Sequence, residues 1–323
     1  MNMRISAARI KEVLPWKLLS ILNRVIDVSK GFWPPILGYA ILKIKYRKPK
    51  TYQDKIKYKI AYDRRSVLKI WADKSKVRSY VEEMIGLEYL NDVYGVFVNS
   101  ENMNIDMFPR NFVVKASHGS GAVIIVSENA PKENSLPKDS RKVNWERFYI
   151  HPDSLIWTDL LSIANRWLTL DFYKSSSHLP EWAYKGIPPR IIVEKFLSDN
   201  GQVASDFRFF IFNGICEYIE VDSSWSNKPT RNMFDREWNE VEVTLKFPPE
   251  IPAPSCPPEM GKMILLAEKL SDGIDHVRVD FYLVGNKIIF GEMTNYHTSG
   301  KQIFYPLNFN YVFANNWNPK IHY

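Results

Sequence analysis

Between residues 5 and 30, Ile10, Leu14, Leu18, Leu19, Leu22, Val25 and Ile26 recur near helical spacing with Lys11, Lys17, Arg24 and Lys30 between them. This spacing predicts a basic amphipathic helix, broken or restarted at Pro15. From Thr51 to Tyr89 the apolar positions keep a helical period, and ADKSKVRSYVEEMIG predicts a helix running from Asp73 towards a stop at Gly86. After MFPRN the period shortens to that of strands. FVVKAS and AVIIVSEN are β-rich runs joined by the short HGSG loop, and PKENSLPKDS reads as a loop. Residues 154–173 read as helix, RIIVEKFL as an apolar strand, and DFRFFIFNGICEYIEVD as a hairpin turning at Asn213-Gly214. After the proline-rich FPPEIPAPSCPPE, a helix from about Glu259 to Leu270 precedes a second hairpin, VRVDFYL and KIIFGEM. There is no internal repeat.

Composition sharpens this picture. The chain has 323 residues, 45% of them hydrophobic, 24% charged and 14% aromatic, with 10 Trp, which excludes a disordered chain and allows a large core. Cys216 and Cys256 cannot supply a disulfide framework or a four-thiolate zinc site, and without a secretory signal pattern the expected compartment is the reducing cytoplasm. The net charge of +7 is uneven: residues 1–76 hold 19 Lys and Arg against 5 Asp and Glu, whereas the remainder is net acidic. A basic amphipathic helix can pack on the body of the protein or lie on the anionic inner face of a membrane. The longest uncharged run in this region, Gly31 to Leu42, has 12 residues, short of the roughly 20 that cross a bilayer. No nucleic-acid module signature accompanies the charge, so a nucleic-acid partner is not expected.

The first chemistry lies in FVVKASHGSGAVIIV. Gly119 and Gly121 flank Ser120, so backbone N–H groups there could approach phosphate oxygens, with Lys115 on the entering strand to neutralise charge. It is not a Walker A loop, because a strand rather than a helix follows and the lysine comes before the glycines. Read alone it is a tight hairpin with a surface lysine. The second hairpin carries Arg278, Asp280 and Glu292, and Mg²⁺ at an ATP site needs carboxylate as well as phosphate oxygens. Register decides whether the two acids cooperate. A simple two-residue turn at Gly285-Asn286 sets Gly291 opposite Asp280 and turns the acids to opposite faces; a longer turn or a bulge sets Asp280 opposite Glu292 and Arg278 opposite Thr294. Glu194-Lys195 ends an apolar strand, where charges must meet solvent, partners or ligand. His118, His151, His178, His276, His297 and His322 show no metal spacing, and no Ser-His-Asp or Cys-His arrangement stands out. His118 and His297 are each open to a structural or a ligand-contacting role.

Taken in order, KPKTYQDKIKY, ADKSKVRSYV, FVVKASHGSG, WAYKGIPPRIIVEKFL, DFRFFIFNG, HVRVDFY and GEMT resemble the ATP-grasp superfamily, and within it the TupA-like branch associated with teichuronopeptide and other surface-polysaccharide modification. The resemblance runs from about Lys48 to Phe304. It implies an α+β ATP-grasp fold, two α+β lobes with ATP between them, preceded here by the mostly helical basic segment. It implies ATP and Mg²⁺ as cofactors. Lys74 and Lys115 then resemble the lysines on ATP phosphates, His118, Gly119, Ser120 and Gly121 the flexible lid over them, and Glu194, Lys195, Phe196 and Leu197 the adenine-binding hinge. Asp206 is similar in place to the ribose-binding acid, Asp280, Glu292 and Thr294 to the metal ligands, and Arg278 to the arginine that steadies acyl-phosphate and tetrahedral species. Many relatives carry Asn where this chain has Thr294, with Asn295 next.

The organisation expected is a basic helical segment at 1–50, a helical lobe at 51–110, an ATP-grasp subdomain with the lid at 111–197 and one with the Mg²⁺ site at 198–323. The implied activity is ATP-dependent ligation of a carboxylate to an amine through an acyl-phosphate, the partners being a uronic acid of a surface polysaccharide or its precursor and an amine. A phosphotransferase acting on a hydroxyl and a non-catalytic membrane-associated module are the competing readings.

Overall fold

The computed structural model describes residues 42–175, 179–199, 202–223 and 229–320, so the helix predicted within residues 5–30 lies outside the described residues. The chain enters α1 (Tyr52–Tyr62) through a capping box, in which Thr51 accepts from the Asp54 N–H and Asp54 reaches back to the Thr51 N–H. Helices α2 (Val67–Ala72) and α3 (Val77–Met84) follow. The helix predicted from Asp73 therefore starts four residues late. Asp73 is extended, and its Oδ1 accepts from the N–H groups of Ser75 and Lys76 at 2.9 and 3.4 Å. A short polar side chain here outcompetes the first helical turn.

The first sheet contains β1 (Val93–Phe97), β2 (Phe112–Ala116), β3 (Val123–Val126), β4 (Arg147–Ile150) and β5 (Ile191–Lys195), in the order β1-β5-β2-β3-β4. All pairs are antiparallel except β3–β4. Helix α4 (Trp157–Thr169) buries Leu160, Ile163, Ala164 and Trp167 beside Phe112, Val114, Ile124, Val126, Ile191 and Val193. Because strand side chains alternate, Val113, Lys115, Ile125, Ile192 and Glu194 are left on the opposite face. That face borders the site.

A two-stranded ribbon of β6 (Ser198–Asp199) and β7 (Gln202–Val203) leads into the second sheet. This sheet contains β8 (Asp206–Phe212), β9 (Ile215–Asp222), β10 (Arg231–Asp235), β11 (His276–Val284) and β12 (Lys287–Thr294), ordered β10-β9-β8-β11-β12. The β8–β9 turn falls at Asn213-Gly214 as predicted, both residues having positive φ. Helix α5 (Met260–Leu270) buries Met260, Met263, Ile264, Ala267 and Leu270 at helical spacing and packs on β8, β9 and β11. Helices α1 and α6 (Phe309–Asn315) share the same large core, in which the Tyr52 ring meets those of Phe212 and Phe313 edge-on. Burial on this scale, at roughly 25 cal/mol per Å² of apolar surface, supplies the main driving force for the fold.

The proline-rich stretch at 247–258 and the loop at 131–139 contain no helix or strand. Cys216 is buried and Cys256 exposed, both unpaired. Among the described residues no helix is long and apolar enough to cross a membrane.

Candidate active site

The β11–β12 hairpin sets the geometry. Its turn is the simple two-residue one, with Val284 opposite Lys287, yet Asp280 faces Glu292 and Arg278 faces Thr294. The register shifts between Asp280 and Phe281, so Gly291 is the extra residue of a bulge. A Cβ on Gly291 would lie 3.1 Å from the Asp280 carbonyl oxygen and from the Tyr282 ring, a separation only glycine meets comfortably. The bulge re-aims Glu292 to the side of the ribbon that holds Asp280.

Arg278 joins the two acids. Its Nε and Nη2 donate to Asp280 at 2.8 and 2.6 Å, and Nη2 also donates to Glu292 Oε1 at 2.9 Å. Asp280 is only 2% exposed, whereas 48% of the Glu292 side chain is open. Crowding by protein raises the cost of charge on Glu292, but Arg278, Lys74 and Arg208 outweigh it and hold its carboxyl down to about 2. Glu292 is therefore an anion at any physiological pH. The Thr294 hydroxyl donates to Glu292 Oε1 at 3.1 Å, and the neighbouring Asn295 is buried with its amide given to the Leu68 carbonyl at 2.8 Å. The Asn295 Oδ1, the atom able to accept from a donor or bind a cation, is buried without a partner.

A single cleft between the two sheets is lined by Lys74, Lys115, Ser120, Gly121, Glu194, Lys195, Phe196, Leu197, Asp206, Asp280 and Glu292. Arg278 lies behind the two acids rather than on the wall. Lys74 donates to the Gly119 carbonyl at 2.5 Å, and burial pulls its ammonium pKa down from the usual lysine value. Lys115 pairs with Glu194 across β2 and β5, and Glu194 also lines the cleft. Asp206 accepts from Arg208 Nε at 2.8 Å, while its Oδ1 is buried without a partner.

In this structure the lid residues are packed and not open. Gly119 and Gly121 do not form an open flap: a Cβ on Gly119 would strike the Trp145 ring at 2.2 Å, and one on Gly121 the Trp145 carbonyl at 2.8 Å, so these glycines permit close packing. His118 is 3% exposed and turned from the cleft, its Nε2 against the Trp167 and Leu170 carbonyls at 3.1 and 3.2 Å and its ring edge-on to Trp145. It ties the loop to the end of α4. His297 is likewise a core residue, packed edge-on to Phe210.

Beyond Arg278, sequence reasoning missed four arginines. Arg78 and Arg147 line the cleft. Arg208 lies opposite Asp280 in the β8–β11 pairing and donates to Glu220 and Asp222, each at 2.7 Å. Arg231 reaches the same two acids. The signal available was DFRFF itself, whose Asp-x-Arg repeats the spacing of Arg-x-Asp in HVRVDF.

A family model described as TupA-like ATPgrasp matches residues 54–316. The chain belongs to this family. Among solved structures, the D-alanine–D-alanine ligase of Bacillus anthracis complexed with ATP is similar at 13% identity and TM-score 0.37, over 76% of this chain and 65% of that one. The corresponding ligase of Helicobacter pylori gives 12% identity and 0.35, over 77% and 60%. A Chryseobacterium gregarium RiPP-associated ATP-grasp ligase, in complex with ADP and a leader and core peptide, gives 12% and 0.37, over 88% and 70%. The chain thus spans about two thirds of the length of these ligases. No curated protein matches it.

The TupA-like ATP-grasp cleft fits the nucleotide and metal its family implies. Its lysines and lid backbone suit phosphate, and the orphan Asp206 Oδ1 suits a hydroxyl donor. Among the described residues no three His, Cys, Asp or Glu side chains form an all-protein metal cage. Mg²⁺ is usually held instead by one or two carboxylates together with phosphate oxygens. Around Arg208, Arg231 and Arg278 stand five acids, Asp206, Glu220, Asp222, Asp280 and Glu292, so the acids exceed the arginines.

Proposed function

We propose that this protein is an ATP- and Mg²⁺-dependent carboxylate–amine ligase that forms an amide through an acyl-phosphate, joining an amine or amino acid to a uronic acid of a bacterial surface polysaccharide or its precursor. Family membership supports the ATP-grasp chemistry. The observation that carries the reading is the meeting of Lys74, Lys115, Asp280 and Glu292 in one cleft with Arg278 behind the acids. Asp280 and Glu292 would hold the metal, which when bound neutralises phosphate charge.

The chain's own residues supply the rest. Lys74 and Lys115 offset negative charge on the phosphates. A substrate carboxylate oxygen attacks the γ-phosphorus, ADP leaves, and the acyl-phosphate carbon becomes open to an amine. The amine nitrogen bonds to that carbon, loses a proton, and inorganic phosphate departs. Arg278 is fixed behind Asp280 and Glu292, so its charge would act on a developing oxyanion as a fixed field across the acids and not by direct contact. No covalent nucleophile from the protein is required. The need for ATP puts the reaction on the cytoplasmic side.

The test is product analysis. Purified protein should release ADP and phosphate only when both an acid and an amine are supplied, and hydroxylamine in place of the amine should give a hydroxamate. AMP release, or a phosphorylated alcohol without hydroxamate, contradicts the reading.

A further inference from the structure

Two acid-free stretches of the chain meet on one face. Residues 293–323 contain no Asp or Glu, and residues 42–53 contain none either while carrying Lys43, Lys45, Arg47, Lys48 and Lys50. Helix α1 brings them together. Gln53 donates from its backbone to the Asn310 side chain at 3.4 Å and from its amide to the Gln302 carbonyl. The Lys57 stem lies against Gly300, its ammonium 5.2 Å from the Tyr46 ring centre, and Tyr58 donates to the Lys320 carbonyl at 3.3 Å. Burial lowers the Lys57 pKa, Asp54 opposes this, and Lys45 and Lys301 lie close enough to lower it further. Asp54 is occupied with Thr51.

The apolar side chains of this face point outward. Ile303, Tyr305, Leu307, Tyr311 and Val312 are 50%, 56%, 66%, 55% and 46% exposed, and Ile44 among the lysines is 48% exposed. Scattered exposed apolar residues are ordinary, but five within ten positions, directly after Lys301 and on the stretch that meets the lysine-rich 42–53 segment, are not. The face has a boundary: beyond Tyr305 lies a groove bordered by Glu240, Glu242 and Glu250. Cations rimming exposed aromatic and aliphatic groups match the headgroup region of an anionic bilayer, which takes both.

We infer that the folded body itself docks on an anionic membrane surface through residues 43–50 and 301–312, with Leu307 and Tyr311 entering the interface. This docking is separate from the cleft and from the reaction assigned to it.

The test uses the full chain with phosphatidylcholine vesicles, with and without about one third phosphatidylglycerol, in a flotation assay; each surface cation should contribute about fivefold to binding. The wild type should float with the anionic vesicles and not with the neutral ones, and salt should release it. Leu307→Glu with Tyr311→Glu, and separately Lys45→Gln with Lys301→Gln, should each weaken binding about tenfold or more at unchanged melting temperature. Hydrogen exchange at 301–312 should slow when anionic vesicles are added. Equal binding by the variants, equal binding to neutral vesicles, displacement by single-stranded nucleic acid, or protection confined to other segments would each overturn the inference.

Discussion

Asp280 and Glu292 share one nitrogen: Arg278 Nη2 lies 2.6 Å from the first and 2.9 Å from the second. The acids come from adjacent strands whose turn alone would point them apart, and the Gly291 bulge reverses that outcome. The pairing of the two acids thus depends on one residue without a side chain.

Gly291→Ala tests this dependence. Its Cβ would press on the Asp280 carbonyl oxygen and the Tyr282 ring at 3.1 Å, so the strand must shift by a few tenths of an ångström. We expect a stability loss of about 1–3 kcal/mol and a raised Mg²⁺ requirement for ATP turnover. Thermal melting and a Mg²⁺ titration measure the two effects.

Arg278 is 7% exposed and balances an almost fully buried Asp280. Arg278→Met should destabilise by about 3–5 kcal/mol, because it strands a buried charge. Arg278→Lys keeps the charge but loses the fork, and kcat should fall about 10²-fold or more while chemical denaturation changes less.

His118→Ala separates packing from ligand contact. The imidazole holds the loop to α4 and does not face the cleft, so the variant should lose about 1–3 kcal/mol while KM for ATP stays within a few-fold of wild type. A large rise in KM with little change in melting temperature contradicts the placement.

Glu181 gives a signed pH dependence. It is 5% exposed and accepts from Ser299 at 2.6 Å, and burial pushes its carboxyl up to about 7 from 4.5. The folded state therefore binds a proton that the unfolded chain has released, and stability falls as pH rises from about 4.5 to about 7. The whole effect is about 3 kcal/mol at 1.36 kcal/mol per unit. Glu181→Gln, which still accepts from Ser299, should flatten the profile over that window and be the more stable protein at pH 8. Urea unfolding at a series of pH values reads this directly.

Much of the architecture was legible in the sequence because its signals are local. Asn213-Gly214 announces its hairpin, Met260 to Leu270 keeps a helical period, and the β-rich runs on either side of HGSG pair as neighbouring strands. The Asp280–Glu292 pairing was legible only as a condition, since register depends on a bulge that no short-range pattern marks. The start of α3 was obscured by Asp73, whose side chain takes the N–H groups that a helix would otherwise use. Arg208 was hidden because its partners Asp206, Glu220, Asp222 and Asp280 are gathered by three strands, and the Trp145 contacts that fix Gly119 arrive from a loop 26 residues away.

The most direct measurement is a crystal structure of the protein with Mg²⁺ and a non-hydrolysable ATP analogue. The account predicts the triphosphate within hydrogen-bond reach of the Lys74 and Lys115 ammonium groups, the metal between the Asp280 and Glu292 carboxylates, and the base against the Lys195–Leu197 backbone. A nucleotide bound elsewhere, or a metal that touches neither acid, would contradict it.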